Sequence, residues 1–267
     1  MSNKQKEWES LEIIDDDDDD DDDDDHDNEA TTKPPPPPKK RVKKIPIPLK
    51  KYHFEEANIF DIGVDEVGRG PLFGRVYTAA VILPKDDTFD HLRMKDSKLF
   101  HSKKKIQEVA EYIKQNAIAY AISYEDEKVI DEINILQATQ RSMHKSISAV
   151  LSQIKPEEHK IHLLIDGNYF NSYTQYNKIR KMVETVPYTC VEGGDNKYSC
   201  IAAASILAKV ARDEYIDSLC DSDPELIEKY GINTNKGYGA KKHLEGIKEH
   251  GITIWHRRSF GICKQFV

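Results

Sequence analysis

Residues 15–25 are eleven consecutive aspartates, and this run limits what the chain can fold into more than any other feature. Adjacent like charges repel, and a segment without apolar side chains has no burial to set against the entropy of ordering. A proline block at residues 34–38 and the basic run KKRVKK at residues 39–44 continue the low-complexity composition. Residues 1–51 are therefore expected to be a disordered arm, and residues 52–267 the folded domain, long enough for a full core.

The arm also distorts the overall charge. Residues 1–30 carry sixteen Asp and Glu against two Lys, a balance of −14, while residues 31–51 carry eight Lys and Arg and no acid, a balance of +8. With −8 for the whole chain, residues 52–267 are left with only −2. A face for a polyanion must then be sought in local clusters, not in the isoelectric point. The aspartate run reads first as a solvated tail, with competition for a polyanion groove as the alternative. KKRVKK resembles a nuclear import signal, a pattern that short basic runs match easily.

The cysteines at 190, 200, 220 and 263 form no CxxC pair and no zinc-site spacing, so a reducing compartment is expected. No apolar run reaches the roughly 18 residues of a membrane span, and no signal-like apolar core opens the sequence. The expected location is intracellular, cytoplasmic unless the basic run directs import. Without a heptad or an exposed apolar stripe, the expected state is a monomer.

Beyond the arm, strand and helix patterns alternate, which predicts an α/β fold. FDIGVDEV (60–67), RVYTAAVIL (75–83, stopped by Pro84), AIAYAISY (117–124), IHLLID (161–166) and MVETVPYTC (182–190, broken at Pro187) read as strands. A helix capped by Ser102 follows at 103–116, a long one is expected at about 134–154, another at 199–219, and a short one that closes at Gly251.

Asp65, Glu66, Asp166 and Asp195 each end an apolar segment or turn and lie beside or near a glycine. Carboxylates gathered at one spot repel, and they stay ionised only around a cation. Oxygen ligands without His or Cys suit Mg²⁺ or Mn²⁺ rather than zinc. Two such ions serve phosphoryl chemistry, activating water and stabilising the leaving oxygen. Asp65 and Glu66 raise a geometric objection, because strand neighbours face opposite ways; the following glycines are expected to end the strand and redirect one of them. Asp213, in KVARDEY, reads as a surface ion-pair residue instead. KDSK (95–98), NKGYG (235–239) and HRRSF (256–260) offer basic side chains for phosphates.

In order, GVDEVGRGPLFG, KDSKLF, LLIDGN, GGDNKYSCIAAASILAKVARD, NKGYGAKKHLEGIKEHG and HRRSF resemble the ribonuclease HII (type 2 ribonuclease H) family across nearly all of residues 60–260. The resemblance implies a ribonuclease H-like fold, a central mixed sheet flanked by helices, with a helical C-terminal part. It implies an endonuclease that hydrolyses the RNA strand of RNA-DNA hybrids and cuts at ribonucleotides in duplex DNA, leaving 3′-hydroxyl and 5′-phosphate ends. Asp65, Glu66, Asp166 and Asp195 would be the catalytic, metal-binding carboxylates around two Mg²⁺ or Mn²⁺ ions. Gly68, Arg69 and Gly70 would read the 2′-hydroxyl, Lys98 would contact phosphate, and Tyr238 would pack on the neighbouring deoxyribose. A 2′-hydroxyl distinguishes RNA from DNA at one nucleotide, and a glycine loop lets backbone approach it.

Arg75, Phe73, Tyr198 and Cys200 depart from the family pattern, with Arg75 either a further phosphate contact or solvent-facing. The alternatives are a ribonuclease HIII-like enzyme restricted to longer hybrids and an inactive hybrid-binding protein of the same fold. The GRG turn and the low-complexity arm favour the HII reading over HIII, and the four intact acids favour catalysis over binding alone.

Overall fold

The computed structural model describes residues 48–86, 88–155, 159–177 and 180–267. The expectation of a disordered arm therefore falls, up to residue 47, outside the described residues.

A five-stranded mixed sheet forms the centre, in the order β3-β2-β1-β4-β7: β1 (Ile59–Val67), β2 (Val76–Ile82), β3 (Ala119–Glu125), β4 (Lys160–Asp166) and β7 (Tyr188–Val191). β1 pairs antiparallel with β2 and parallel with β4, and β7 extends the parallel edge. A separate hairpin joins β5 (Thr174–Asn177) to β6 (Met182–Thr185). The single strand expected around Pro187 is thus two strands in different sheets. Proline cannot donate to a ladder, and here the Pro187 carbonyl accepts from Leu163 N–H at 2.9 Å while the chain passes from one sheet to the other.

Alternation along β1 sorts its side chains between two layers. Phe60, Ile62 and Val64 pack with Met143, Ile147 and Val150 of helix α2 (Glu127–Leu151). The opposite sheet face carries α1 (Lys103–Asn116) and α3 (Ser199–Ser222), where Ala79, Val81 and Leu164 meet Ile106, Ile113 and the Ala-rich start of α3. Gly63 admits this approach: a Cβ there would lie 2.2 Å from the Cys200 carbonyl carbon. Ser102 caps α1 as expected, its side chain accepting from Lys105 N–H.

Helix α2 departs from expectation at both ends. It begins at Glu127, capped by Asp126, and ends at Leu151, but it breaks at Asn134, whose φ is 67°. Asn134 Oδ1 accepts from Gln137 N–H at 3.1 Å, so the residue expected to start the helix caps its second segment. Beyond α3 come α4 (Glu225–Tyr230), α5 (Ile232–Asn235) and α6 (Lys241–His250), which closes at Gly251. These pack on the end of α3 through Ile216, Cys220, Leu226, Tyr230 and Ile247, forming the helical C-terminal part. Among the described residues no helix is long and apolar enough to cross a membrane.

Candidate active site

The parallel pairing of β1 and β4 runs through Val64 and Ile165, so Asp65 and Asp166 follow as the next residues on neighbouring strands. The third site element is the turn after β7. Gly193 takes a left-handed conformation, residues 194–196 form a 3-10 turn, and the Gly194 N–H donates to Asp166 Oδ1 at 2.6 Å. That bond sets Asp195 beside Asp166. The strand does not end at the acid pair: Glu66 and Val67 still pair with Thr78 and Tyr77. The redirection expected of the glycines is therefore absent. Asp166 interacts with both acids nonetheless, because it ends β4, the strand paired directly with β1.

Electrostatics join the four acids through Asp166. Burial first, then the charges of Glu66 and Asp166, hold the Asp65 carboxyl well above the usual carboxylate range. Glu66 is also raised, mainly by burial, although Arg69 opposes the shift; the two form an ion pair at 3.1 Å. Asp195 is pushed up to about 6 by burial and by Asp96 and Asp166, with Lys98 counteracting. Among the described residues no three Asp, Glu, His or Cys side chains form a ready-made ligand cage. The donor chemistry of the four acids fits a hard divalent cation: buried carboxylate oxygens, mutually repelling, gain most from positive charge placed among them.

A second ring of polar groups was not evident from the sequence pattern. Ser205 bonds Asp65 and lies 3.0 Å from Ser97 Oγ. Asn196 Nδ2 donates to both Asp195 Oδ1 and Asp96 Oδ2 at 3.2 Å. The available signal was Asp96 within KDSK, a motif read only for its lysines.

Gly68, Arg69 and Gly70 form a turn held from below by buried arginines. Gly68 has φ 88°, and a Cβ there would lie 2.4 Å from Arg212 Nε, so only glycine fits. The Arg257 guanidinium is fully buried and donates to the carbonyls of Gly68, Arg69, Pro71 and Gly74 at 2.6–2.9 Å. Arg212 donates to the carbonyls of Phe73 and Lys236. HRRSF was expected to grip phosphate. Its Arg257 instead satisfies loop carbonyls that no ladder reaches, a use suited to the five-donor fork of arginine. Burial and the neighbouring Arg212 lower its pKa to about 9.

Tyr238 is half-exposed beside this loop, its ring edge 3.6 Å from a Cβ built on Gly70. Lys98 is exposed near Asp195. Lys236 of NKGYG pairs with Asp217, which also binds Lys103, so it is not free to grip phosphate. Asp213 pairs with Lys209 at 2.9 Å, as expected of a surface helix acid. Arg75 neither faces solvent alone nor projects to the acids: its guanidinium stacks between Tyr124 and Tyr215, 4.1 and 4.3 Å from the ring centroids.

Residues 62–263 match the family model described as Ribonuclease HII. The chain is 42% identical over 205 residues to the ribonuclease HII of Bacteroides thetaiotaomicron, covering 77% of this chain and 91% of that one. Its fold resembles the crystal structure of ribonuclease H2 from Pyrococcus horikoshii OT3, with TM-score 0.57 and 22% identity over 78% of this chain and 96% of that one. It also resembles Bst-RNase HIII in complex with Mn²⁺, with TM-score 0.58 and 20% identity over 78% and 69%. Matched motifs, mixed sheet and acid-lined strand ends agree, and the chain belongs to the ribonuclease HII family of ribonuclease H type endoribonucleases.

Proposed function

We propose that this protein cuts the RNA strand of RNA-DNA hybrids, and single ribonucleotides within duplex DNA, on the 5′ side of the ribonucleotide phosphate, leaving 3′-hydroxyl and 5′-phosphate ends. The observation that carries the finer reading is the adjacency of three groups: the acids around Asp166, the turn Gly68–Arg69–Gly70, and Tyr238, whose ring would touch any side chain placed at position 70.

Asp65, Glu66, Asp166 and Asp195 would hold two divalent ions, Mg²⁺ or Mn²⁺. When bound, such ions supply activation of the attacking water and stabilisation of the leaving oxygen. The protein's own groups orient the substrate. The backbone of the glycine turn approaches the 2′-hydroxyl, Arg69 and Lys98 flank the scissile phosphate, and the Tyr238 ring lies against the next sugar, where a second 2′-hydroxyl would crowd it. Ser205 and Asn196 fix the rotamers of Asp65 and Asp195 by hydrogen bonds. On this reading the enzyme works as a monomer inside the cell, where its nucleic-acid substrate is found.

End-labelled duplex DNA containing one ribonucleotide tests the proposal. Cleavage at that nucleotide in Mg²⁺ or Mn²⁺ is expected, with a rate about 10³-fold lower for Asp65→Asn, the scale of a lost contribution of several kcal/mol. Cutting of long hybrids only would point to the HIII-like alternative. Hybrid binding without cleavage in either metal would make it an inactive binding protein.

A further inference from the structure

Two buried histidines with no part in the chemistry above stand directly behind Tyr238. His243, on α6, and His256 are 0% and 1% exposed, and their Nε2 atoms lie 3.1 Å apart. Hydrogen-bond rules fix the protons on both. The Thr253 backbone N–H can only donate, and it points at His256 Nδ1 at 2.9 Å, so that nitrogen accepts. The His256 proton then sits on Nε2 and is given to His243 Nε2. His243 must carry its own proton on Nδ1, and Nδ1 lies 2.8 Å from the Tyr238 carbonyl, which can only accept. A directed relay thus runs from Thr253 through His256 and His243 to the Tyr238 backbone. A second proton on either ring would break it by setting two donors face to face.

The same C-terminal segment grips the glycine turn. Phe73 and His256 form an antiparallel bridge, Arg257 N–H donates to Leu72 O at 2.8 Å, and Gly74 N–H to Trp255 O at 2.9 Å. The Phe73 ring lies edge-on to His256 at 5.1 Å, and Tyr230 packs on the other side at 5.2 Å. Consecutive residues therefore serve the two halves of the sugar-reading surface: His256 through His243 to Tyr238, and Arg257 to the carbonyls of residues 68–74.

We propose that His256 and His243 are positioning residues, which hold Tyr238 at a fixed distance from the Gly68–Arg69–Gly70 turn and so set the preference for an RNA-to-DNA junction over continuous RNA. The proposal rests on Tyr238 meeting the sugar beside the cut. The first test uses the unmodified protein. Nitrogen-15 NMR of the histidine rings at pH 7 should show His243 as the Nδ1–H tautomer and His256 as the Nε2–H tautomer, both neutral. The reverse assignment, or a charged ring, overturns the relay.

The second test measures kcat/KM on a single-ribonucleotide duplex divided by kcat/KM on a continuous hybrid. Tyr238→Ala should lower this ratio about tenfold, the scale of one aromatic contact. His243→Leu should lower it similarly, His243→Asn, which keeps an N–H for the Tyr238 carbonyl, should restore most of it, and His243→Leu should add nothing in the Tyr238→Ala background. An additive loss in that background would assign His243 a general structural role and overturn the inference. An unchanged ratio in Tyr238→Ala would instead refute the role of Tyr238, and the inference with it.

Discussion

At the scale of single residues, the acids at the site destabilise the fold in which they sit. Asp65 is 4% exposed, and burial together with Glu66 and Asp166 disfavours its ionised form. Sites built for function often carry such a cost. Asp65→Asn keeps an oxygen to accept from Glu66 N–H while removing one charge. The variant is expected to be more stable than the parent by about 1 kcal/mol, read as a higher Tm in metal-free buffer. Mn²⁺ should raise the Tm of the parent and leave that of the variant almost unmoved, because a ligand stabilises only the state that binds it. A lower Tm for Asp65→Asn in metal-free buffer would show that the carboxylate contributes net stability. The adjacency of Asp65 and Glu66 was plain from the chain, but the hydrogen bonds from Ser205 and Asn196 were not, since each joins positions that only folding brings together.

At the scale of elements, local signals placed most helices and strands, and the misses share a cause. Ser102 and Gly251 bound their helices because a cap acts within a few residues of itself. The turn at Pro187 looked like a break within one strand, because the partner of each half is set by tertiary pairing. Asn134 gives this scale its prediction. Its φ of 67° and ψ of 163° lie in a region that glycine alone occupies comfortably, while its side chain caps the second half of α2. Asn134→Gly is expected to be neutral or stabilising, and Asn134→Ala destabilising by about 1 kcal/mol or more, as measured by urea unfolding. Equal midpoints for the two variants would remove backbone conformation as the reason for the break.

At the scale of the whole molecule, the buried His243–His256 pair ties the C-terminal helical part to the loop after β1, and it links stability to pH. Burial lowers His256 from its ordinary 6.5 to about 3, with His243 also lowered by burial. Between those values the unfolded chain binds a proton that the folded one refuses, so stability falls as pH drops through about 6.5 and levels off near 3. The contribution of His256 alone at pH 5 is about 2 kcal/mol. Chemical denaturation at pH 7 and pH 5 should show this loss, and His256→Asn should reduce it. A pH-independent difference between parent and variant would show that the ring takes up its proton in the fold as readily as in the unfolded chain.

Sequence by itself determined the alternation of elements, the placing of Asp65, Asp166 and Asp195 in or just after apolar segments, and the family, because periodicity, caps and ordered motifs are local properties of the chain. Only the tertiary structure decided how the basic residues are used. Read along the chain, HRRSF looks like a phosphate grip and KVARDEY like a surface ion pair. The fold instead buries Arg257 and Arg212 beneath the glycine turn, where loop carbonyls without ladder partners need donors. Arg75 likewise could not be placed from its neighbours, because Tyr124 and Tyr215, the rings that hold it, come from β3 and α3. Burial and hydrogen-bond satisfaction depend on what arrives from distant parts of the chain, and no local pattern records that.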